Sequence, residues 1–593
     1  MKLNELIQVF AFFGLLLGLT PLLGRFMARV FKGEKTFLSP ILRPVEKLIY
    51  RLTGVDENEE MSWKRYFLGV LIFNVVGLLS LWVLQMTQAC LPLNPQNFPN
   101  VPWALALNTA VSFVTNTNWQ AYAGENTMSY FTQMTGLTVH NFLSAATGIA
   151  ILVAFARCLK RASAKTIGNF WADLTRTTLY LLLPLSVLMA TVLVSQGVVQ
   201  NFKPYATASL VESYTAQVPK TDDKGNAVNG PDGKPVMVDQ KVDTQLIPLG
   251  PAASQIAIKQ LGTNGGGFYG QNSAHPFENP TPFSNFVEVV SLVIIAASLV
   301  YAFGLMLGDV GHARVLFGVM LALFVGCFAL AWWAESQPNP VVHNLQPLME
   351  GKEQRFGVMN SVLFAVATTG TSCGAVNSMH DSFMPLAGLA PLWNLMLGCI
   401  VFGGVGAGLY GILMHVLITV FIAGLMVGRT PEYFGKKIQM WEATWAVVAI
   451  LIPNFLILLG SALACTQPAG LAGLGNTGPH GMSEIYYAYA SCANNNGSAF
   501  AGLNANTFFY NLTLGAAMFI GRFGVALAVL AIAGHLAAKK TVPASMGTLP
   551  TNGVTFGCVL LGVILIVAAL TFFPALCLGP LAEHGLMLAG RTF

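Results

Sequence analysis

Long apolar stretches alternate with polar connections along the whole chain. A helix needs about 20 largely apolar residues to cross a bilayer, and ten stretches meet that condition. They lie around residues 4–24, 66–88, 128–156, 174–196, 286–307, 314–334, 391–427, 442–463, 507–533 and 553–575. The stretch 391–427 is too long for one ordinary span and is interrupted by glycines, so we predict a broken helix there. The pattern predicts an all-α, polytopic membrane protein.

Four of the connections share a second pattern. Each contains a short apolar stretch, which suits a helix too short to cross the bilayer, followed by a polar loop rich in Gly, Asn and Thr. The predicted short helices cover residues 103–114, 251–261, 357–369 and 482–493. A unit that recurs along a chain indicates an internally repeated architecture. We therefore expect four pseudo-symmetric repeats of span, pore loop and span around a central pore, with one extra helix at each end.

This plan divides the chain into segments. They are a first transmembrane helix (1–30), four pore repeats (64–158, 171–308, 312–428 and 440–536) and a last transmembrane helix (550–576). The second repeat carries the only long soluble insertion, 200–250, and the third contains the broken seventh span. Turn-forming residues at 222–225 and 231–235 favour an extracytoplasmic hairpin or cap for the insertion, without catalytic chemistry.

Basic residues concentrate in alternate connections. Nine Lys and Arg residues lie between Arg25 and Arg65, after the first span, whereas the connection 89–127 has none. Because cytoplasmic connections are enriched in Lys and Arg, we place the first connection in the cytoplasm. The four polar loops and both termini are then extracytoplasmic.

Composition supports a membrane protein and excludes other classes. The chain is 54% hydrophobic and only 10% charged, whereas soluble domains carry about 25% charged residues. The net charge of +5 follows the membrane topology, so we expect membrane lipids and no nucleic acid as partners. Nine cysteines without a CxxC pair or zinc-type spacing indicate neither a disulfide framework nor a transition-metal site.

The four polar loops carry the candidate chemistry. Irregular backbone is tolerated at membrane depth only where it is buried or lines a watery cavity, so these loops imply an ion pathway. Rings of backbone carbonyls replace the hydration shell of a monovalent cation, and the absence of carboxylates disfavours a tight divalent site. The candidate filter residues are Thr115, Asn116, Thr117, Asn118, Thr263, Asn264, Gly265, Gly266, Thr371, Ser372, Cys373, Gly374, Asn494, Asn495, Asn496 and Gly497.

Aligning the loops as Thr-x-x-Gly gives an imperfect fourfold repeat. The fourth position is then Asn118, Gly266, Gly374 and Gly497 in the four loops. The first loop has Asn where the others have Gly, and the fourth begins with Asn494 instead of Thr. We therefore expect a ring that is only pseudo-fourfold.

Two further features lie inside predicted spans. Arg522 falls within the ninth span, where a charged residue costs at least about 2.5–3.5 kcal/mol, so we predict that it opposes free passage of cations below the filter. The glycines Gly404, Gly406 and Gly408 interrupt the seventh span. Residues 406–411 formally match GxGxxG, but no strand precedes them. We predict an intramembrane loop under the filter; close helix packing is the alternative.

Polar residues beside the loops are candidates for support. We predict that Gln120 braces the first loop, and that three histidines support the loops by hydrogen bonds: His275, His380 and His480. Glu278 and Asp381 are expected to concentrate cations near the entrance, since a charged vestibule raises the local concentration of counter-ions.

Longer stretches around these loops resemble one known family. They are Asn116–Gln120, Gly262–Phe268 with Ser273–Pro280, Thr371–Asp381 and Asn495–Gly502. Through these stretches, the chain resembles over essentially its whole length the A subunits of Kdp-type potassium-transporting ATPases, in the wider superfamily of potassium transporters. The resemblance implies a channel-like subunit of an ATP-driven, high-affinity uptake complex of the bacterial inner (cytoplasmic) membrane. Such a subunit selects potassium at an outer filter and passes it to a P-type ATPase partner.

The resemblance also implies the partners and the division of labour. The expected partners are the B subunit, which is the P-type ATPase, the single-span C subunit and the small single-span F subunit of the Kdp complex. Potassium is then the substrate, and no cofactor is expected in this chain. The sequence contains neither an Asp-Lys-Thr-Gly-Thr phosphorylation motif nor a GxxxxGK[ST] loop. We therefore predict no catalytic site here and ATP hydrolysis by a partner.

Two alternatives remain at this point. A stand-alone potassium channel or symporter of the same superfamily would import ions without an ATPase, and purification with or without an ATPase distinguishes the two. A membrane-embedded hydrolase would use Ser372 or Ser498 with His380 or His480, but neither serine has a G-x-S-x-G setting.

Overall fold

Ten helices in the described part of the chain are long and apolar enough to cross a membrane. The computed structural model describes residues 3–219, 236–342, 348–543 and 548–591. The helices run Leu3–Phe31, Trp63–Met86, Thr132–Lys160, Phe170–Ser195, Pro282–Leu307, Val310–Glu335, Ala407–Met426, Met440–Thr466, Phe508–Ala538 and Val554–Leu578. The prediction of ten spans is confirmed, and we number them first to tenth in this order.

The seventh span differs from the predicted stretch 391–427. A separate helix, Pro385–Met396, comes first, residues 397–406 are not helical, and the span begins at Ala407. The predicted break is therefore confirmed. The backbone is closely packed within it, because a Cβ atom on Gly403 would lie 1.6 Å from the Cys399 carbonyl oxygen and one on Gly408 would lie 2.3 Å from the Gly403 Cα atom. Only glycine tolerates such close approach.

The four predicted short helices are also present. They run Trp103–Val114, Ala252–Leu261, Gly357–Gly370 and Gly478–Ala493, and we number them first to fourth. Smaller helical elements are Ser39–Thr53, Gln88–Cys90, Gly124–Thr127, Asn272–Ala274, His380–Ser382, Pro468–Leu471 and Pro580–Leu588. Strands Glu432–Tyr433 and Lys436–Lys437 pair as a small antiparallel ribbon. Each short helix lies in the connection that leads from an even-numbered span to the next odd-numbered span.

The connections that lead from odd-numbered to even-numbered spans lie together on one face of the protein. The Met61 N–H, before the second span, donates to the Gly168 carbonyl, after the third, at 2.8 Å. The Ala164 N–H donates to the Ala537 carbonyl at the end of the ninth span at 2.9 Å. The four short helices therefore share the opposite face, as alternate crossing requires. Which face is cytoplasmic stays a prediction from the basic residues.

The third and fifth spans are the most enclosed. Every residue from 144 to 156 and from 291 to 300 is buried, which explains why both stretches are apolar on all sides. The third span opens with a π-helical segment, Thr132–Thr138. π-helical turns are frequent at functional sites, and the Asn141 side chain beyond this one accepts a hydrogen bond from the Asn118 amide of the first loop at 2.6 Å.

The soluble insertion contains a β-hairpin. Strands Ala206–Pro219 and Met237–Ile247 pair antiparallel, with a register irregularity between Ser209 and Tyr214. The predicted hairpin is therefore confirmed in its strands. The predicted turns at 222–225 and 231–235 lie outside the described residues. The division of the chain into four repeats stays a prediction.

Candidate functional site

The four short helices end in the same way. Their C-cap residues are Thr115, Gly262, Thr371 and Asn494. The residue after each cap has a positive φ: 63° at Asn116, 48° at Thr263, 56° at Ser372 and 54° at Asn495. A left-handed residue at a helix end turns the chain out of the helix. All four loops therefore leave their helices in a common conformation.

This common ending sets the register of the second loop. Gly262 occupies the position that Thr115 has in the first loop, so the fourth position of the second loop is Gly265. The sequence alignment began this loop at Thr263 and placed Gly266 fourth, and it is wrong by one residue. It matched threonine with threonine, whereas the structure places Thr263 at the left-handed second position.

Backbones of neighbouring loops meet at the fourth-position glycines. A Cβ atom on Gly265 would lie 2.0 Å from the amide nitrogen of Gly374, and one on Gly374 would lie 2.9 Å from the carbonyl carbon of Gly497. A Cβ atom on Gly497 would lie 1.8 Å from the carbonyl oxygen of Thr117. Since only glycine fits at such distances, the second loop meets the third, the third meets the fourth, and the fourth meets the first.

Hydrogen bonds join the first loop to the second and the second to the third. The Asn116 amide donates to the carbonyl oxygens of Gly262 and Thr263 at 3.3 and 3.2 Å. The Asn264 amide donates back to the Asn116 side-chain oxygen at 2.5 Å. The Gly374 N–H donates to the Asn264 carbonyl at 3.2 Å. These hydrogen bonds hold together loops that are far apart in the sequence.

The remaining two contacts close the ring. The Ser372 hydroxyl donates to the carbonyl oxygens of Asn495 and Asn494 at 2.7 and 3.2 Å. The Asn495 amide donates to the Thr117 hydroxyl at 2.9 Å. The four predicted loops therefore form one closed ring, which we call the loop ring.

The loop ring is neutral and removed from solvent. All the candidate filter residues are buried except Asn494, which is half-buried, and none of them carries a carboxylate. Their available oxygens belong to carbonyls, hydroxyls and amides. Such a donor set suits a monovalent cation, whereas calcium sites rely on carboxylates.

Gln120 links the end of the first loop to the second loop. Its amide donates to the Gly267 carbonyl at 3.0 Å, and its side-chain oxygen accepts from the Gly267 N–H at 2.9 Å. That these bonds support a filter stays a prediction.

A buried charged cluster lies behind the second loop. Lys259, near the end of the second short helix, forms an ion pair with Glu278 although both side chains are fully buried. The Lys259 carbonyl oxygen accepts from the N–H groups of Asn264 and Gly265 at 2.8 and 3.1 Å. Lys259 therefore anchors the second loop through its backbone as well as carrying the buried charge.

The position of Glu278 corrects one prediction. Because its side chain is buried against Lys259, it does not concentrate cations at the entrance. Sequence proximity to the loop suggested an exposed role, and Lys259 was missed. The available signal was a lone lysine in an apolar helix, since a charged residue in such a setting needs a partner.

His380 supports the fourth loop through a chain of hydrogen bonds. Its Nδ1 atom lies 2.7 Å from the Tyr487 hydroxyl, which lies 2.9 Å from the Ser498 hydroxyl. Ser498 in turn donates to the Asn496 side-chain oxygen at 2.5 Å. The predicted supporting role of His380 is confirmed. Ser498 contacts Tyr487 and Asn496 in this chain of bonds, an arrangement unlike a serine hydrolase. His275 accepts a hydrogen bond from the Phe277 N–H at 3.2 Å and stacks on the Tyr269 ring near the second loop, with 4.4 Å between ring centroids.

His480 joins the end of the third loop region to the helix Pro580–Leu588. Its Nε2 atom lies 2.7 Å from Asp381 Oδ1, and its Nδ1 atom lies 2.9 Å from Glu583 Oε1. Burial lowers the pKa of His480, but the hydrogen bonds to the two carboxylates raise it to about 10. Possible ligand atoms of Asp381, His480 and Glu484 lie within 4.8 Å of one another, yet both ring nitrogens are already paired with carboxylates.

Asp381 is half-buried and paired with His480. Because the same imidazolium also pairs with Glu583, one positive charge faces two carboxylates and the cluster keeps a net negative charge. The role predicted for Asp381 at the entrance stays a prediction, and the hydrogen bonds tie two elements of the same face together.

Replacing His480 with glutamine is expected to lower the free energy of unfolding by about 1.5–3 kcal/mol at neutral pH, the range for a hydrogen bond to a charged group. Because the folded pKa of about 10 lies above the ordinary 6.5, this stabilisation is fully present below the ordinary pKa. It is lost as the pH rises through the folded pKa. Thermal unfolding across this pH range measures the effect.

The control is His584→Gln, which removes the histidine next to Glu583 in the helix Pro580–Leu588. We expect it to unfold like the parent at each pH. A constant difference between the parent and His480→Gln from the acidic to the alkaline end of the range contradicts the assignment.

A cavity of about 80 Å³ adjoins the loop ring. Ser372, Asn494 and Asn495 form part of its wall, and so does Arg522 from the ninth span. A single water needs roughly 10–15 Å³, so the cavity has room for several. Arg522 is 5% exposed and donates to the Ser144 carbonyl at 3.4 Å; within the described ranges no carboxylate pairs with it. A buried positive charge therefore faces the space beside the ring.

The non-helical segment 397–406 contacts the ring directly. The Val405 N–H donates to the Thr263 hydroxyl at 2.9 Å. A Cβ atom on Gly404 would lie 3.1 Å from Ser372 Cβ, and Gly406 has a φ of 87°. The segment thus lies against the second and third loops, where the sequence predicted an intramembrane loop.

Comparison with known proteins places this geometry in context. The family described as "KdpA: Potassium-transporting ATPase A subunit" matches residues 10–585. Relatives described as "Potassium-transporting ATPase potassium-binding subunit" include that of Geotalea uraniireducens, 54% identical over 589 residues, which cover 98% of this chain and 99% of the relative. Those of Geobacter sulfurreducens (55% over 587 residues, 98% and 99% covered) and Methylococcus capsulatus (52% over 596 residues, 100% of both) are similar.

The crystal structure of the potassium transporter TrkH from Vibrio parahaemolyticus is 14% identical, with a TM-score of 0.49 over 88% of this chain and 97% of that chain.

Proposed function

Since the chain belongs to the family of potassium-transporting ATPase A subunits, we propose that the loop ring is the site at which it binds and selects potassium. The closed ring of neutral, buried oxygen-bearing residues is the observation that carries this proposal. The proposed filter residues are the candidate set from the four loops, with Gly265 in place of Gly266 at the fourth position.

The general role follows from the family. The chain is a multi-pass membrane protein and the potassium-binding subunit of a potassium-transporting ATPase complex. Hydrolysis of ATP belongs to a partner subunit and not to this chain. Potassium is the transported ion.

The local chemistry of the ring supports binding of a dehydrated monovalent cation. All four loops directly follow the C-terminal ends of short helices, where aligned peptide dipoles leave a partial negative charge of about half an elementary charge. This favours a cation without a carboxylate that would hold a divalent ion tightly. Hydrogen bonds between the loops fix the spacing of the oxygens, which reduces rearrangement when the ion sheds its water.

We further propose a path beyond the ring. The segment 397–406 closes the inner side of the second and third loops, and Gly404, Gly406 and Gly408 allow its backbone to change conformation. Arg522, across the adjoining cavity, repels cations that would otherwise pass freely along the chain. Gating by these residues makes transfer to the ATPase partner the favoured route.

The assembly and its membrane are proposed on the same premise. We propose that the partners are the P-type ATPase or B subunit, the single-span C subunit and the small single-span F subunit. The complex is placed in the bacterial inner membrane, with both termini of this chain extracytoplasmic, because basic residues mark the opposite connections.

A carboxylate placed in the ring tests the proposal. Asn264→Asp keeps the shape of the side chain, adds a negative charge and removes the amide that donates to Asn116, so we expect divalent cations such as strontium to compete with potassium in ATPase assays of the intact complex. The potassium concentration for half-maximal activity should change by roughly tenfold, which corresponds to about 1.4 kcal/mol.

Asn58→Asp, at an exposed position in the first connection, is the matched control. It adds the same charge away from the ring and should leave the cation dependence unchanged. If Asn264→Asp behaves like Asn58→Asp in both assays, the ring is not the selecting site.

A further inference from the structure

One helix has no place in the ion pathway. The helix Ser39–Thr53 lies in the connection between the first and second spans, on the face opposite the loop ring. Connections 32–38 and 54–62 attach it to the two spans. Such short tethers hold the helix close to the plane in which those spans leave the membrane.

A polar side of this helix fixes its orientation on the protein. Glu46 is buried and accepts hydrogen bonds from the hydroxyls of Tyr50 and Tyr180, each at 2.9 Å. It also accepts from Arg176 Nε at 2.9 Å and forms an ion pair with Arg43. A buried carboxylate with this many partners is costly to separate from them. The helix is therefore anchored through its polar residues.

The opposite side is apolar and uncovered. Its side chains are spaced by three or four residues, as one helix face requires: Ile41 is 71% exposed, Val45 41%, Leu48 53% and Leu52 76%. Phe37, just before the helix, is 78% exposed and contacts the Phe26 ring at the end of the first span, with 5.5 Å between ring centroids. The apolar face thus continues the lipid-facing side of a span.

Basic residues flank this apolar face. Lys47 and Arg51 lie on the exposed polar edge of the helix, and within residues 3–219, 236–342, 348–543 and 548–591 no ion pair involves either of them. Long basic side chains beside an apolar helix face are the composition of helices that lie in a membrane interface. Basic residues near an anionic leaflet are attracted to it, so the charge complements acidic lipid headgroups.

From these contacts we propose that Ser39–Thr53 is an interfacial helix that binds anionic phospholipid of the cytoplasmic leaflet. Its apolar face enters the boundary between headgroups and acyl chains, while Lys47 and Arg51 contact the phosphate groups. The polar anchor through Glu46 holds this surface at a fixed angle, so the protein presents a preformed lipid site. Lipid binding by this helix does not depend on ion binding at the loop ring.

Site-directed quenching in the intact complex tests the location. In a background in which the exposed cysteines Cys90, Cys558 and Cys577 are replaced by serine, a fluorophore is attached at Leu48→Cys or at Lys47→Cys. In vesicles, we expect nitroxide on lipid acyl chains to quench the label at 48 several-fold more than the label at 47. Aqueous iodide should show the reverse order.

Two outcomes overturn the location. Equal access of iodide to both labels means that the apolar face is in water. Protection of the label at 48 from both quenchers means that another protein of the complex covers the face.

A second arm tests the charge preference. At equal mole fractions, nitroxide-labelled phosphatidylglycerol should quench the label at 48 about twofold more than labelled phosphatidylcholine. The double change Lys47→Gln and Arg51→Gln should remove this preference, assayed with the label at 48, while Lys540→Gln, on another connection, should preserve it. Equal quenching by the two lipids in the otherwise unaltered chain overturns the anionic assignment.

Discussion

Alanine at position 265 is expected to weaken potassium binding by about 100-fold or more and to abolish high-affinity uptake. Gly265 has a φ of 90°, and a Cβ atom there would lie 2.0 Å from the amide nitrogen of Gly374. Left-handed strain costs about 1–3 kcal/mol, and the overlap also forces the third loop to move. Since 1.4 kcal/mol is tenfold in affinity, the combined effect reaches about two orders of magnitude.

The measurement is the potassium concentration that gives half-maximal ATPase activity of the intact complex. Gly326→Ala in the sixth span is the control, because nothing lies within 4 Å of a Cβ atom there. Gly404→Ala is an intermediate case, with its Cβ atom 3.1 Å from Ser372. Normal potassium affinity in a folded Gly265→Ala complex is incompatible with a ring in which the second and third loops touch.

Replacing Arg522 with alanine is expected to separate ATP hydrolysis from potassium accumulation. Arg522 is 5% exposed, and its guanidinium lies beside the loop ring and donates to the Ser144 carbonyl. Its removal takes away the positive charge that opposes passive cation movement, a barrier that is strong in a low-dielectric setting. In proteoliposomes, we expect passive rubidium flux to rise about tenfold or more, a barrier change of about 1.4 kcal/mol.

Arg522→Lys keeps the charge and should preserve most of the coupling. Arg314→Ala, at an exposed position near the start of the sixth span, removes an arginine elsewhere and should leave flux unchanged. Passive flux equal to that of the parent, together with normal uptake per ATP hydrolysed, would assign Arg522 a packing role only.

The spans and short helices were predictable because their signal is local. Hydrophobic length identifies a span, and every predicted span and short helix is present in the structure. The glycine break before the seventh span was predictable for the same reason. The closure of the four loops into a ring was predictable as well, because a repeated unit implies equivalent placement.

The register and the polar partners were harder to predict. Thr263 resembles the threonines that begin two other loops, so only the helix ending at Leu261 reveals that Gly262 is the first residue. Glu278 was assigned to the entrance because its partner Lys259 lies in a different element. Which buried charges meet depends on how helices pack, and sequence spacing does not encode that for residues in separate elements.

The helix Ser39–Thr53 illustrates the same limit. Its basic residues were read as topology signals, which they are. Its apolar face is exposed because Glu46 turns toward Arg176 and Tyr180, and this orientation depends on contacts between separate elements. Orientation of an amphipathic helix relative to its own protein distinguishes a core helix from a lipid-facing one.

The most direct test of the central claim is anomalous density for rubidium or thallium in a structure of the intact complex. We expect a peak enclosed by the four loops, within coordinating distance of oxygens of the third-position residues or of the residues beside them. The third-position residues are Thr117, Asn264, Cys373 and Asn496. Clear ion density elsewhere in the chain, with none inside the loop ring, would contradict the claim.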